Sequence, residues 1–180
     1  YSVGAANLGV HYIFRWLREN GVAAERFYSA PIPYRSADGD TLLERFPIIT
    51  AGVSFEGSVL TFFEWLKGAN IPLSQQERDD GHYPVVGAGG AITYINPLLL
   101  AGVCDFIILG DGLDDMEFLT QSLRRYMEHG DRKKLWRDLA ENEAILVPPV
   151  HITDGKVTDK RVPCKTMPLS DKYPMYSTWT

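Results

Sequence analysis

Four short stretches hold enough glycine or acid to do chemistry: SVGAANLG at 2 to 9, SFEGS at 54 to 58, GAGGA at 87 to 91 and GDGLDD at 110 to 115. Glycine tolerates positive φ and carries no Cβ, so Gly87, Gly89 and Gly90 would let a phosphate or something large and flat approach the main chain. The same three glycines also suit a tight turn from strand to helix, and both uses stay open. A dinucleotide fingerprint matches weakly, because G-x-G-x-x-G would need glycine at 92, where Ile92 stands, and should follow the first strand rather than a late one. A serine- and threonine-rich phosphate loop is excluded, since VGAANLG offers no hydroxyl beyond the preceding Ser2, and a phospho-acceptor aspartate is missing at Val53-Ser54.

Asp111, Asp114, Asp115 and Glu117 could form an acid or metal cluster, yet acids at the start of a helix complement its dipole and cap its free amides. Capping is the expectation. His11, His82, His129 and His151 share no spacing and support neither a metal site nor a triad. Cys104 heads an apolar run and reads as an inert core thiol, and Phe62, Phe63 and Trp65 lie at helical spacing and read as core.

The elements that must position these stretches follow from hydrophobic period. NLGVHYIFRWLREN, 7 to 20, places Leu8, Ile13, Phe14 and Leu17 on one helical face and stops at Asn20-Gly21. AAERFYSAPIP has a short strand-like centre that ends at Pro31, followed by a polar loop. Ile48 to Phe55 is short, apolar and bounded by Pro47 and Gly57, the pattern of a strand buried on both faces. SVLTFFEWLKGAN then reads as an amphipathic helix, YPVVGAGG as a strand, NPLLLAG as a short helix capped by Asn96 with Pro97 at its first position, and CDFIILGDG as a strand. A long helical region from about 113 to 143 breaks near Gly130, and Asp154-Gly155 between two alternating runs marks a hairpin.

Strand alternating with helix gives an α/β, doubly wound parallel sheet with helices on both faces. The first strand of such a fold should precede the first helix, where only Tyr1 to Ala5 stand, so that strand is expected to be missing or very short. Its absence would leave a sheet edge able to pair copies of the chain. The expected organisation is an α/β domain over 1–143 and a hairpin with a linker over 144–180. In such sheets ligands bind outside the carboxyl ends of the strands, which is where all four stretches fall.

The 180 residues suffice for one sizeable core, and 45% hydrophobic with 23% charged residues is ordinary for a globular protein. A formal net charge of −5 argues against nucleic acid as a partner. Two cysteines, Cys104 and Cys164, form neither a disulfide framework nor metal spacing and point to the cytoplasm. No apolar run approaches the length of a membrane helix, and no signal peptide is visible.

The succession of YSVGAANLGVHYIF, GVSFEGSVLTFFEWLKGANIPLSQQER, YPVVGAGGAITYINPLLLAGVCDFIILGDG and VPPVHITDGKV resembles the N-terminal part of radical S-adenosylmethionine proteins that carry a cobalamin-binding-like domain. The resemblance spans Tyr1 to about Lys165. It implies a flavodoxin-like sheet whose loops embrace a corrinoid, cobalamin, through Ser2, Gly4, Asn7 and Gly9, through Ser54, Phe55 and Glu56, through Gly87, Gly89, Gly90 and Ala91, and through Gly110, Asp111 and Gly112. Gly89, Gly90 and Ala91 match the glycine pair that lets the nucleotide tail lie against a strand. The D-x-H-x-x-G loop of methionine-synthase-like modules has no match, since His11 lies inside the following helix, and the resemblance allows cobalamin to be held without a protein ligand. It further implies a radical domain on the same polypeptide, with a C-x-x-x-C-x-x-C motif for a four-iron four-sulfur cluster and S-adenosylmethionine. Two cysteines cannot supply that motif, so the chain is expected to catalyse nothing by itself. A vestigial scaffold that binds no cofactor and packs against the radical domain is the rival expectation, and a free-standing nucleotide or flavin binder is a third.

Overall fold

The computed structural model describes residues 8–28, 33–79, 82–110, 112–153 and 156–158. Helix α1, Leu8–Glu19, closes with Asn20 Nδ2 donating to Trp16 O at 2.9 Å and with Gly21 at φ 74°. The left-handed turn at Gly21 lets Val22 N reach back to Leu17 O at 2.9 Å, so the sequence stop signal acts as a C-cap. Within AAERFYSAPIP, where a short strand is expected, Ala23 to Tyr28 joins no ladder, and 29–32 lie outside the described residues. Arg26 instead anchors this stretch: its guanidinium sits on both oxygens of Asp38, lies 4.2 Å from the centroid of Phe14 on α1, and meets His11 Nδ1 at 3.0 Å. That pairing holds the Asp38 carboxyl below its ordinary range.

Strand β1, Ile48–Gly52, pairs in parallel with β2, Val85–Gly89, and β2 pairs in parallel with β3, Phe106–Ile108. The sheet ends in β4, Ile145–Leu146, which runs antiparallel to β3. Between β1 and β2 lie α2, Glu56–Gly68, and the short α3, Gln75–Asp79; between β2 and β3 lie α4, Ile92–Ile95, and a 3-10 turn, Pro97–Leu100. Asn96 caps that turn by accepting from Leu98 N at 3.1 Å, with Pro97 at its first position. Helices α5, Met116–His129, and α6, Arg132–Ala140, connect β3 to β4 and are separated by Gly130 at φ 71°, with Asp131 capping α6 through Lys134 N at 2.9 Å.

Because β side chains alternate, the sheet divides two cores. Ile49, Val86, Ala88, Ile107 and Leu146 face Val59, Phe62 and Leu66 of α2, whose i, i+3, i+7 spacing sets one helical stripe. Val85, Phe106 and Ile145 face Met116, Leu119, Leu135 and Leu139 of α5 and α6, and Ile13, Trp16 and Leu17 of α1 pack on the same side. Helices therefore cover both faces of a mostly parallel sheet, as the flavodoxin-like expectation requires. After β4 the chain turns through α7, Pro148–His151, into a hairpin of β5, Ile152–Thr153, and β6, Lys156–Val157, paired around the expected Asp154-Gly155 position. Ile145 and Leu146, read from sequence as part of the hairpin segment, belong instead to the main sheet. No helix among the described residues is long and apolar enough to cross a membrane.

Candidate functional site

The carboxyl ends of β1, β2 and β3 come together at one rim. Val53 N donates to Gly89 O at 2.8 Å and Val53 O accepts from Ile92 N at 3.1 Å, which binds the first tip to the second. Thr93 Oγ1 donates to Gly90 O at 2.8 Å and accepts from Gly110 N at 3.1 Å, which ties the second tip to the third. Ser54, Phe55, Glu56 and Ala91 are exposed along this rim, and Phe55 is 57% exposed. Ser2, Gly4, Asn7 and Asp111 lie outside the described residues. Gly9, expected in a loop, stands exposed in the first turn of α1.

What uses the bare glycines is visible in the packing. The ring of Phe106, one strand over, fills the room at Gly87, where a Cβ would lie 2.2 Å from Cζ. Gly90, at φ 108°, faces main chain, and a Cβ there would lie 2.7 Å from Val53 O. Ile108 fills the space beside both Gly89 and Gly112, with Cβ distances of 3.4 Å to its Cβ and 2.5 Å to its Cγ2. The flat group that comes close at Gly87 is thus the chain's own aromatic ring.

Of the acids expected at the start of α5, Glu117 stands in its first turn, where an acid complements the helix dipole, and Asp111 lies outside the described residues. Asp115 occupies the cap position without a capping bond and accepts from Asn142 Nδ2 at 2.8 Å, which clips the start of α5 to the end of α6. Among the described residues no group of three or more His, Cys, Asp or Glu could hold a metal ion. Cys104 is fully buried, and burial pushes its thiol up, as an inert core residue requires. Phe62 is buried, Phe63 and Trp65 pack beside it, and Trp65 stacks on Tyr34 with centroids 5.0 Å apart.

At the opposite rim the structure holds a polar cluster that the motif reading passed over. Asp105, fully buried at the head of β3, accepts from Val86 N at 2.8 Å, Arg78 at 3.1 Å, Trp136 Nε1 at 3.1 Å and Arg132 at 3.4 Å. Arg78, also fully buried, donates to Pro72 O at 2.7 Å, Leu73 O at 2.8 Å and Val103 O. Burial pushes the Arg78 guanidinium down from its ordinary range, and Asp105 opposes that shift. Arg132 reaches Tyr83 O at 2.6 Å. Beside this cluster an open groove of about 630 Å³ is lined by Trp136, Leu98, Ala101, Gln75, Pro149 and Ile152. The signal in the sequence was one aspartate heading the apolar run FIIL.

Comparison with known families places the domain. Residues 9–148 match the family described as radical SAM proteins, N-terminal, so the chain belongs to that family. No curated protein and no solved structure matches it. Membership fits a radical SAM domain on the same polypeptide, and S-adenosylmethionine and a four-iron four-sulfur cluster belong to that catalytic domain. The described residues offer no ligand set for the cluster.

Proposed function

We propose that this domain is the non-catalytic architectural part of a radical SAM protein, a sheet that packs against the catalytic domain and holds no corrinoid between its strands. The observation that carries this reading is the ring of Phe106 lodged over Gly87, with Val53 main chain against Gly90. A nucleotide tail lying against β2 would have to displace a fully buried aromatic side chain from the core. One observation favours a second reading, a corrinoid seated on the rim. Phe55 exposes its ring beside Ser54 and Glu56, and a flat macrocycle could stack on it from solvent.

Titration with hydroxocobalamin separates the two. A ligand of the folded state at a hundred times its Kd stabilises by about 2.7 kcal/mol, which a melting curve resolves easily. The architectural reading expects an unchanged visible spectrum and an unchanged Tm. A spectral change with a rise in Tm that Phe55→Ala abolishes would replace it with the rim-bound corrinoid.

A further inference from the structure

The groove beside the Asp105 cluster gathers apolar surface from segments far apart in sequence. Leu98 and Ala101 come from the 3-10 turn and the residue after it, Trp136 from α6, Pro149 from α7, and Ile152 and Val157 from the hairpin. Leu98 is 46% and Val157 38% exposed, and a Cβ added at Gly102, which also lines the groove, would meet nothing within 4 Å. Among the described residues that line it, Asp79 alone is charged, and it pairs with Lys133 at 3.3 Å. A surface of this character suits an uncharged, apolar partner and not a phosphate or a nucleic acid.

The lining is held in place from behind. Trp136 Nε1 donates to the buried Asp105 at 3.1 Å, and Gln75 Nε2 donates to Ala101 O at 3.0 Å. His151 Nδ1 accepts from Val147 N at 3.0 Å, and His151 O accepts from both Thr158 N at 2.8 Å and Thr158 Oγ1 at 3.0 Å. A surface fixed in advance loses little freedom when it is covered. The course of the polypeptide says what covers it. The family match runs from 9 to 148 and the family stands N-terminal in radical SAM proteins, so the chain beyond Pro148 leads toward the catalytic domain. It does not swing clear of the sheet: Pro149, Ile152 and Val157 line the groove, and Thr158 is fastened beside them. A domain carried on that stretch meets the groove at high effective concentration.

We infer that this groove at the amino rim is where the radical SAM domain of the same polypeptide docks, with apolar side chains of that domain seated against Leu98, Trp136 and Val157. The inference rests on the architectural reading and names the face that does the packing. It makes the Asp105 cluster the rigid backing of an interdomain contact, since Asp105 positions Trp136.

Photocrosslinking in the full-length protein tests this. One variant carries benzoylphenylalanine in place of Gln76, exposed in the groove, and a second carries it in place of Phe55, exposed at the carboxyl rim. The Gln76 variant should link to residues of the radical SAM domain within a monomer, as mass spectrometry of the product reads. Links to that domain from the Phe55 variant alone would overturn the inference and leave the architectural reading standing, whereas links from neither would overturn both. A covalent dimer from the Gln76 variant would assign the groove to a second copy, and links only to the stretch between Thr158 and the radical SAM domain would assign it to the chain's own continuation; each refutes the docking. Hydroxyl-radical footprinting of the unaltered full-length protein is the independent readout. Leu98 should oxidise about tenfold more slowly than Leu60, which is 66% exposed one turn into α2, because the centre of a docked interface excludes water. Rates within about twofold of each other, as expected from the exposures of the two leucines in this domain, would show the groove open and refute the docking.

Discussion

The two ends of this sheet are held by opposite means. At the carboxyl rim the strands meet where side chains are absent, and Gly87, Gly90 and Gly112 make room for Phe106, Val53 and Ile108. At the amino rim they are fastened by side chains that are large, polar and buried, with Asp105 collecting Val86 N, Arg78, Arg132 and Trp136. The difference teaches that glycine in a strand tip is ambiguous evidence for a ligand. Space without a Cβ is claimed by whichever neighbour arrives first, and here the neighbours come from the next strand.

Substitutions at each end should break this comparison in different ways. The largest effect belongs to Asp105→Ala, which leaves two arginines buried without a counter-charge; denaturant unfolding should show a loss of about 3–5 kcal/mol. Gly90→Ala comes next, because both its φ of 108° and the unyielding main chain of Val53 oppose a side chain. A loss of about 1–3 kcal/mol is expected, and a neutral result would show that the rim can shift.

Gly87→Ala sharpens the contrast further, since its obstacle is a side chain that can be trimmed. Alone it should cost about 1–3 kcal/mol by overpacking. Combined with Phe106→Leu it should cost clearly less than the sum of the two single changes, a coupling that a double-mutant cycle reads directly. Additive losses would mean that Phe106 is not what Gly87 accommodates. The smallest effect belongs to Phe55→Ser, on the exposed part of the rim, where stability should change by less than about 0.5 kcal/mol. A larger loss in the full-length protein than in a protein lacking the catalytic domain would mark Phe55 as part of the surface that the catalytic domain covers.

Much of the fold was legible because it is locally encoded. The stripe of Val59, Phe62 and Leu66, the stop at Asn20-Gly21, the Asn96-Pro97 cap and the break at Gly130 each follow from a few neighbouring residues. What was not legible depends on pairing across the chain. Ala23–Tyr28 has strand-like composition but joins no ladder, and Ile145-Leu146 looks like hairpin sequence yet completes the sheet beside β3. SFEGS, GAGGA and the start of GDGLDD lie along one rim, most of the 2–9 stretch lies outside the described residues, and the role of the rim glycines could not be read. Gly87 is explained by Phe106, nineteen positions later, and no periodicity links the two. The Asp105 cluster escaped for a similar reason: its arginines stand at 78 and 132, on either side of β3 in sequence, and only the fold collects them.

One consequence follows from β4 running against its neighbours. The reversal delivers the polypeptide, through Pro148 and the hairpin, to the rim where the arginines are seated, a strand's height of roughly 17 Å from the glycine tips. A tug transmitted along the backbone from downstream would load Trp136 and the ionic knot first, and the glycine rim would feel it only after that anchorage had yielded.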